Sequence, residues 1–268
     1  MYLLDRFNRR IYYLRISVTD RCNLRCVYCM PTEGVSLIPR HEILSFEEIC
    51  EVATTAVEMG MDRIRLTGGE PLVRRNIVDL VSMIAEIEGV RDLAMTTNGV
   101  LLEEFAKPLV EAGLRRVNIS LDTMDADRYA YLTGGGDIRR VLAGIEAAKK
   151  AGLTPIKLNC VVRESSDEPD AQQVAQFADQ NGLIVRFIRQ MNIAEGTFWV
   201  VQGGTGGNCA QCNRLRLTSN GMIKPCLFND IMFSVRELGI RDAIERAVEA
   251  KPERGIKSVN HTFYNVGG

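Results

Sequence analysis

Residues 14–31, LRISVTDRCNLRCVYCMP, set three cysteines at Cys22, Cys26 and Cys29 in a C-x3-C-x2-C spacing, and the fold is read outward from them. Three thiolates this close can share one metal cluster only if the backbone loops around it, and Asp20, Arg21 and Asn23 are polar residues suited to such a loop. A cubane of four irons held by three cysteines leaves one iron open to a substrate or cofactor. A structural zinc normally takes four protein ligands and favours two-cysteine knuckles; zinc and simple buried thiols stand as the alternatives.

The chain has 268 residues, 46% of them hydrophobic, which fits one large domain or a domain with an appendage. No run of about 18 apolar residues occurs and the start has no signal-peptide core, so the expectation is a soluble, cytoplasmic protein without a membrane partner. A net charge of -1 gives no global pull towards nucleic acid, so any anion site is local. Eight cysteines in a reducing compartment argue for metal ligation over disulfides. Cys209, Cys212 and Cys226 form a second group; its alternative is a zinc knuckle completed by His41 or His261. Cys50, within 46–57, and Cys160, within 156–162, read as small packed hydrophobes.

Short β-branched runs alternate with amphipathic ones. The pattern predicts strands over 11–18, 62–67, 92–96, 116–121, 156–162 and 184–189, and helices over 46–59, 76–88, 102–112, 138–151 and 171–181. Ser45 and Glu48 form a capping-box pattern, and Gly60, Gly89, Gly113, Gly152 and Gly182 each stand just past a helix, where a left-handed residue ends it. Pro108 is expected to split or shorten the third helix. Such a succession argues an α/β fold, a parallel (β/α) barrel or an open sheet.

Side chains two apart on a strand share a face. One set of faces reads Arg15 and Ser17, Arg63, Arg65 and Thr67, Asn118 and Ser120, Lys157 and Asn159; the opposite set is Leu, Ile, Val and Cys. Parallel sheets are normally covered on both sides, so the polar faces point to a ligand-filled interior more than to solvent. Arg15, Arg65 and Lys157 suit a multiply charged anion such as a triphosphate. Gly68, Gly69, Glu70 and Pro71 follow the second strand at the end where barrel sites lie, and glycine there lets a backbone approach a ligand, although Gly-Gly is also a common turn.

The first cysteine group, with Tyr28 before its last member, resembles the cluster motif of the radical S-adenosylmethionine (SAM) superfamily. DRFNRRIYYLRISVTDRCN (5–23), LTGGEPLVRR (66–75) and CNRLRLTSNGMIKPCLF (212–228) resemble the GTP 3′,8-cyclase family, which opens molybdenum cofactor biosynthesis. This resemblance implies a partial (β/α)6 TIM-type barrel over 1–190 and a C-terminal iron-sulfur cluster domain over 191–268. It implies a radical SAM lyase with SAM and two 4Fe-4S clusters, on Cys22, Cys26 and Cys29 and on Cys209, Cys212 and Cys226. Tyr28, Gly68, Gly69, Glu70, Ser120 and Met191 match SAM-binding positions, although Met191 reads equally well as a core methionine. Arg15, Arg65, Thr96, Lys157, Arg214, Leu215 and Arg216 match GTP-binding positions, and Arg15, Arg65 and the tail Gly267-Gly268 match catalytic ones. The implied partners are GTP, an electron donor protein, a downstream cyclic pyranopterin monophosphate synthase and, for assembly, a second copy in a homodimer. A radical SAM enzyme acting on another substrate, and a non-catalytic metal-cluster protein, are the competing readings.

The chain departs from that family between Met191 and Cys209, where a much longer, partly helical segment is reduced to NIAEGTFWVVQGGTGGN. Its glycines read as a flexible linker. Asn8 stands for the usual glycine of Phe-Gly-Arg, and Arg189 and Gln190 stand where the family tends to have Glu and an apolar or aromatic residue.

Overall fold

The strand Tyr13–Ser17 (β1) pairs on both sides, and the sheet grows outward from it. The computed structural model describes residues 2–30 and 34–259; Gly267 and Gly268 lie outside them. Along the chain follow α1 (Phe46–Glu58), β2 (Arg63–Thr67), α2 (Ile77–Ala85), β3 (Asp92–Thr97), α3 (Leu102–Glu111), β4 (Arg116–Ser120), α4 (Ala126–Thr133), α5 (Ile138–Ala151), β5 (Ile156–Val162), α6 (Pro169–Gln180) and β6 (Ile184–Arg189). Beyond them come β7 (Arg214–Leu217), β8 (Met222–Lys224), β9 (Phe233–Ser234), α7 (Val235–Leu238) and α8 (Ile240–Glu249). The nine strands make one sheet in the order β6-β5-β4-β3-β2-β1-β7-β8-β9. It is parallel from β6 to β7, and the β7–β8 and β8–β9 pairs are antiparallel.

All six expected strands and five expected helices form, with boundaries shifted by a few residues at most. Ser45 Oγ accepts from Glu48 N (3.2 Å) while Glu48 Oε2 accepts from Ser45 N (2.7 Å), which completes the capping box. The five glycines after the helices all take φ between 66° and 100°. Pro108 does not split α3. The carbonyl that its missing N–H would have engaged belongs to Glu104, an exposed residue, so water can serve it.

The apolar strand faces pack under the helices: Leu14, Ile16, Ile64, Leu66, Val117, Ile119 and Leu158 are fully buried. Each such side chain contributes about 1.5–3 kcal/mol. Cys160 is buried among them and Cys50 is half-buried, in keeping with packed thiols.

Residue 191 does not mark a break in the sheet, because β7 adds directly to β1. The segment expected as a flexible linker is a turn-rich strap along the edge of β6. Phe187 and Gln202 exchange two backbone hydrogen bonds (3.1 Å each), and Asn192 pairs with Thr197. Gly203, at φ +77°, is needed because a Cβ there would sit 2.8 Å from the Val185 carbonyl. No helix among the described residues is long and apolar enough to cross a membrane.

Pro108→Ala restores the missing helical hydrogen bond. We expect it to raise the thermal midpoint, by about 1–2 kcal/mol of stability after the unfolded-state entropy of proline is discounted; a lower midpoint in a calorimetric scan would refute the account of the exposed Glu104 carbonyl.

Candidate active site

At the carboxyl ends of the strands, Cys22, Cys26 and Cys29 lie on a loop that turns back on itself. Cys29 and Met30 N–H both donate to the Cys26 carbonyl (3.0 Å each), and Leu24 N–H donates to Cys22 Sγ (3.4 Å). Burial, and then the neighbouring Cys29, pushes the Cys26 thiol up to about 12; burial and Cys22 push Cys29 up to about 11. The three half-buried thiols line one cavity, and a cluster that takes them as thiolates would supply the positive charge their burial calls for. Among the described residues no three His, Cys, Asp or Glu side chains converge on a point for a single ion. A cubane, which binds each thiolate at a different iron, needs no such convergence.

The Gly68-Gly69 turn is sewn to this loop. Gly69 N–H donates to the Thr19 carbonyl and Glu70 N–H to the Arg21 carbonyl (2.8 Å each). A Cβ on Gly69 would lie 2.3 Å from the Arg21 oxygen, and Gly68, at φ +148°, faces Thr19 as closely. The glycines are therefore demanded by loop-on-loop approach as well as by any ligand. Glu70 does not line the cavity beside them. Its buried carboxylate accepts from Leu72 N, Thr97 Oγ1 and Asn98 N, fixing the loop after β3, and burial pushes it up to about 7 against those donors.

A cavity of about 210 Å³ opens against the thiols, lined among others by Cys22, Cys26, Tyr28, Cys29, Gly68, Gly69, Thr96, Ser120 and Met191. Six residues from five separate stretches of sequence, all expected at a SAM or GTP site, thus meet at one chamber with the first cysteine group. Met191 lines the chamber and also packs against the small cluster of Ile193, Leu227 and Phe228, as a core methionine does. Tyr28 is fixed from outside the chamber, its hydroxyl donating to Asp122 Oδ2 (2.6 Å).

Below the chamber the interior is cationic. Register places Arg15 between Arg65 of β2 and Arg216 of β7, Thr96 beside Asn118, Asn118 beside Lys157, and Asn159 beside Arg186. Arg65 donates to Thr96 Oγ1 (3.1 Å) and to the Tyr13 hydroxyl. Burial, followed by neighbouring cations, pulls Arg15 well down and Arg216 to about 10. Arg186 Nε, Arg214 Nε and Asn118 Oδ1 are buried and have no hydrogen-bond partner among the described residues; the two arginine donors fit an anionic ligand and the amide oxygen fits a hydroxyl or N–H on it. Strand alternation turns the Leu215 side chain away from Arg214 and Arg216 into the hydrophobic core, which leaves its backbone for the interior.

The second group sits beside β7 and β8. Cys212 N–H donates to the Cys209 carbonyl (3.1 Å), and Phe228 N–H to Cys226 Sγ (3.4 Å). Burial works against the Cys212 thiolate, but the charges of Lys251 and Arg214 outweigh it and hold that thiol below its usual range. Sequence reasoning missed Tyr13, Asp122 and Arg186. The two-residue period that picked out Arg15 and Asn159 contains Tyr13 and Arg186 as well; Asp122 carries no signal before the loop after β4 is folded.

The Radical SAM superfamily profile matches residues 16–178. In overall shape the chain is similar to SuiB of Streptococcus suis bound to the precursor peptide SuiA (TM-score 0.66, 16% identity, 91% of this chain and 65% of that one) and to anSMEcpe with bound AdoMet (TM-score 0.63, 17% identity, 90% and 81%). The chain belongs to the radical SAM superfamily, and is an enzyme of the kind that uses 4Fe-4S clusters and SAM. It is 42% identical to the GTP 3′,8-cyclase of Peptoclostridium acidaminophilum, over 99% of this chain and 98% of the relative, and 38% identical to that of Thermodesulfovibrio yellowstonii, over 93% and 94%. Within the superfamily it therefore falls in the GTP 3′,8-cyclase family. The second alignment runs over 303 positions; since 93% of 268 residues is about 249, about 54 positions of that relative face gaps in this chain.

Gly69→Ala forces the Arg21 carbonyl aside. It should cost on the order of 2 kcal/mol in thermal unfolding of the apo-protein and reduce iron uptake; an unchanged melt and full iron content would show that the two loops are not locked together.

Proposed function

We propose that the enzyme converts GTP to 3′,8-cyclo-7,8-dihydro-GTP in molybdenum cofactor biosynthesis. The observation that carries this reading is the alignment of Arg216, Arg15 and Arg65 across three adjacent parallel strands, directly below the chamber that holds the first cysteine group. When bound, the cluster on Cys22, Cys26 and Cys29 together with SAM supplies one-electron cleavage of SAM and a carbon radical that takes a hydrogen atom from the ribose 3′ carbon.

Each group of side chains then has a task. Gly68, Gly69, Tyr28, Ser120 and Met191 hold SAM against the first cluster, and Asp122 keeps the Tyr28 ring upright. Arg15, Arg65, Lys157 and Arg186 take the triphosphate; planar guanidinium forks grip phosphate oxygens in pairs. Thr96, held by Arg65, orients the ribose between the two ends. Cys209, Cys212 and Cys226 would hold a second cluster, and Arg214 and Arg216 beside it would take the guanine. The strap over β6 shields the interior from water on that side. An electron donor protein supplies the reducing electron, and a cyclic pyranopterin monophosphate synthase takes the product.

The test is 5′-deoxyadenosine formation by anaerobically reconstituted protein with SAM and dithionite, with and without GTP. GTP is expected to stimulate the reaction and to be consumed. Arg214→Ala and Arg216→Ala should each weaken GTP binding by about tenfold to a hundredfold, about 1.5–3 kcal/mol, while uncoupled SAM cleavage survives. SAM cleavage with GTP untouched would assign the chamber to another substrate.

A further inference from the structure

Lys251 follows α8 and is 3% exposed, an unusual place for a lysine. Its Nζ donates to the carbonyl of Arg214 (2.8 Å), two residues after Cys212, and to that of Pro225 (2.6 Å), immediately before Cys226. No carboxylate pairs with it among the described residues, and the Cys212 and Cys226 side chains are the neighbours that favour its charge, Cys212 through a side-chain hydrogen bond. The adjoining chain closes on the same cysteines. Arg9, anchored by Asp5, donates to the carbonyls of Cys209 (2.7 Å), Pro252 (2.7 Å) and Glu253 (2.9 Å), and a Cβ on Gly255 would lie 3.3 Å from Cys226 Sγ.

A buried ammonium costs several kcal/mol unless its charge and its donors are met. Two donors are met by carbonyls that flank the second cysteine group, and its charge faces that group's sulfurs. We propose that Lys251 is a positioning residue for the second cluster, fixing the spacing of the segments that carry Cys212 and Cys226 and neutralising part of the thiolate charge. This rests on the reading that Cys209, Cys212 and Cys226 hold a 4Fe-4S cluster. A positive charge at that distance also makes the cluster easier to reduce, so its loss moves the potential negative.

The experiment compares wild type, Lys251→Met and Lys251→Arg after anaerobic reconstitution, by iron and sulfide per chain, by redox-titrated electron paramagnetic resonance of each cluster, and by thermal melts of the apo-proteins. Lys251→Met is expected to keep the first cluster and to cleave SAM with dithionite. Its second cluster should fall in occupancy by about tenfold or titrate at a more negative potential, with the apo melt within a few degrees of wild type. Lys251→Arg, which keeps the charge, should restore both. Full iron with an unshifted second potential in Lys251→Met overturns the proposal, and so does loss of the apo fold in both variants, which would make Lys251 a core residue only. Wild type with a single cluster would instead remove the two-cluster reading, and the proposal would fall with it.

Discussion

Parallel pairing of β7 with β1 is the contact on which the rest of the molecule depends. It brings Arg214 and Arg216, about two hundred residues away in sequence, level with Tyr13 and Arg15, which in turn stand level with Arg63 and Arg65. Neighbouring strands lie about 4.8 Å apart, so like charges are held side by side in a partly desolvated space. Burial and mutual repulsion draw Arg15 and Arg216 down from their ordinary range. A polyanion entering that space removes the repulsion, so substrate binding and stability of this part of the fold are thermodynamically linked.

Around both cysteine groups the surroundings grip mainly the backbone, and single backbone N–H donors reach Cys22 Sγ and Cys226 Sγ. At the first, the Thr19 and Arg21 carbonyls take the amides of Gly69 and Glu70, and the Glu70 carboxylate takes those of Leu72 and Asn98. At the second, Arg9 and Lys251 take carbonyls from Cys209, Arg214 and Pro225. Carboxylate and glycine do the fixing on one side, arginine and lysine on the other. Burial pushes the Cys26, Cys29 and Cys226 thiols up, whereas the charges of Lys251 and Arg214 hold the Cys212 thiol down.

The shortened stretch after β6 keeps a structural task with few residues. An open strand edge invites pairing with other chains, and here Gln202 pairs with Phe187 while the Trp199 ring lies under the Arg189 guanidinium at 3.9 Å. Arg189 lines the upper chamber, so the strap is coupled to the site through that stacked pair. The sheet remains continuous past this stretch, because β7 docks on β1 and not on the end of β6. Asn8 shows the same economy: it adopts φ +60°, a left-handed position that asparagine tolerates where glycine is usual.

What the sequence by itself determined was whatever is local. Cysteine spacing, the two-residue period of the polar faces, the Ser45–Glu48 cap and the glycine stops name both thiol groups, six strands and five helices, because each depends on residues a few positions apart. The helices α4, α7 and α8 escaped, and Pro108 misled, because tolerance of a proline depends on which side of a helix meets water. Only the tertiary structure decided that β7 to β9 extend the same sheet, that the Leu215 side chain turns away from the site, that Glu70 holds the loop after β3, and that Lys251 and Arg9 close over the second cysteine group. Those outcomes rest on contacts between residues far apart in sequence, and burial at such contacts is settled by the packing of the whole chain, which no local pattern contains.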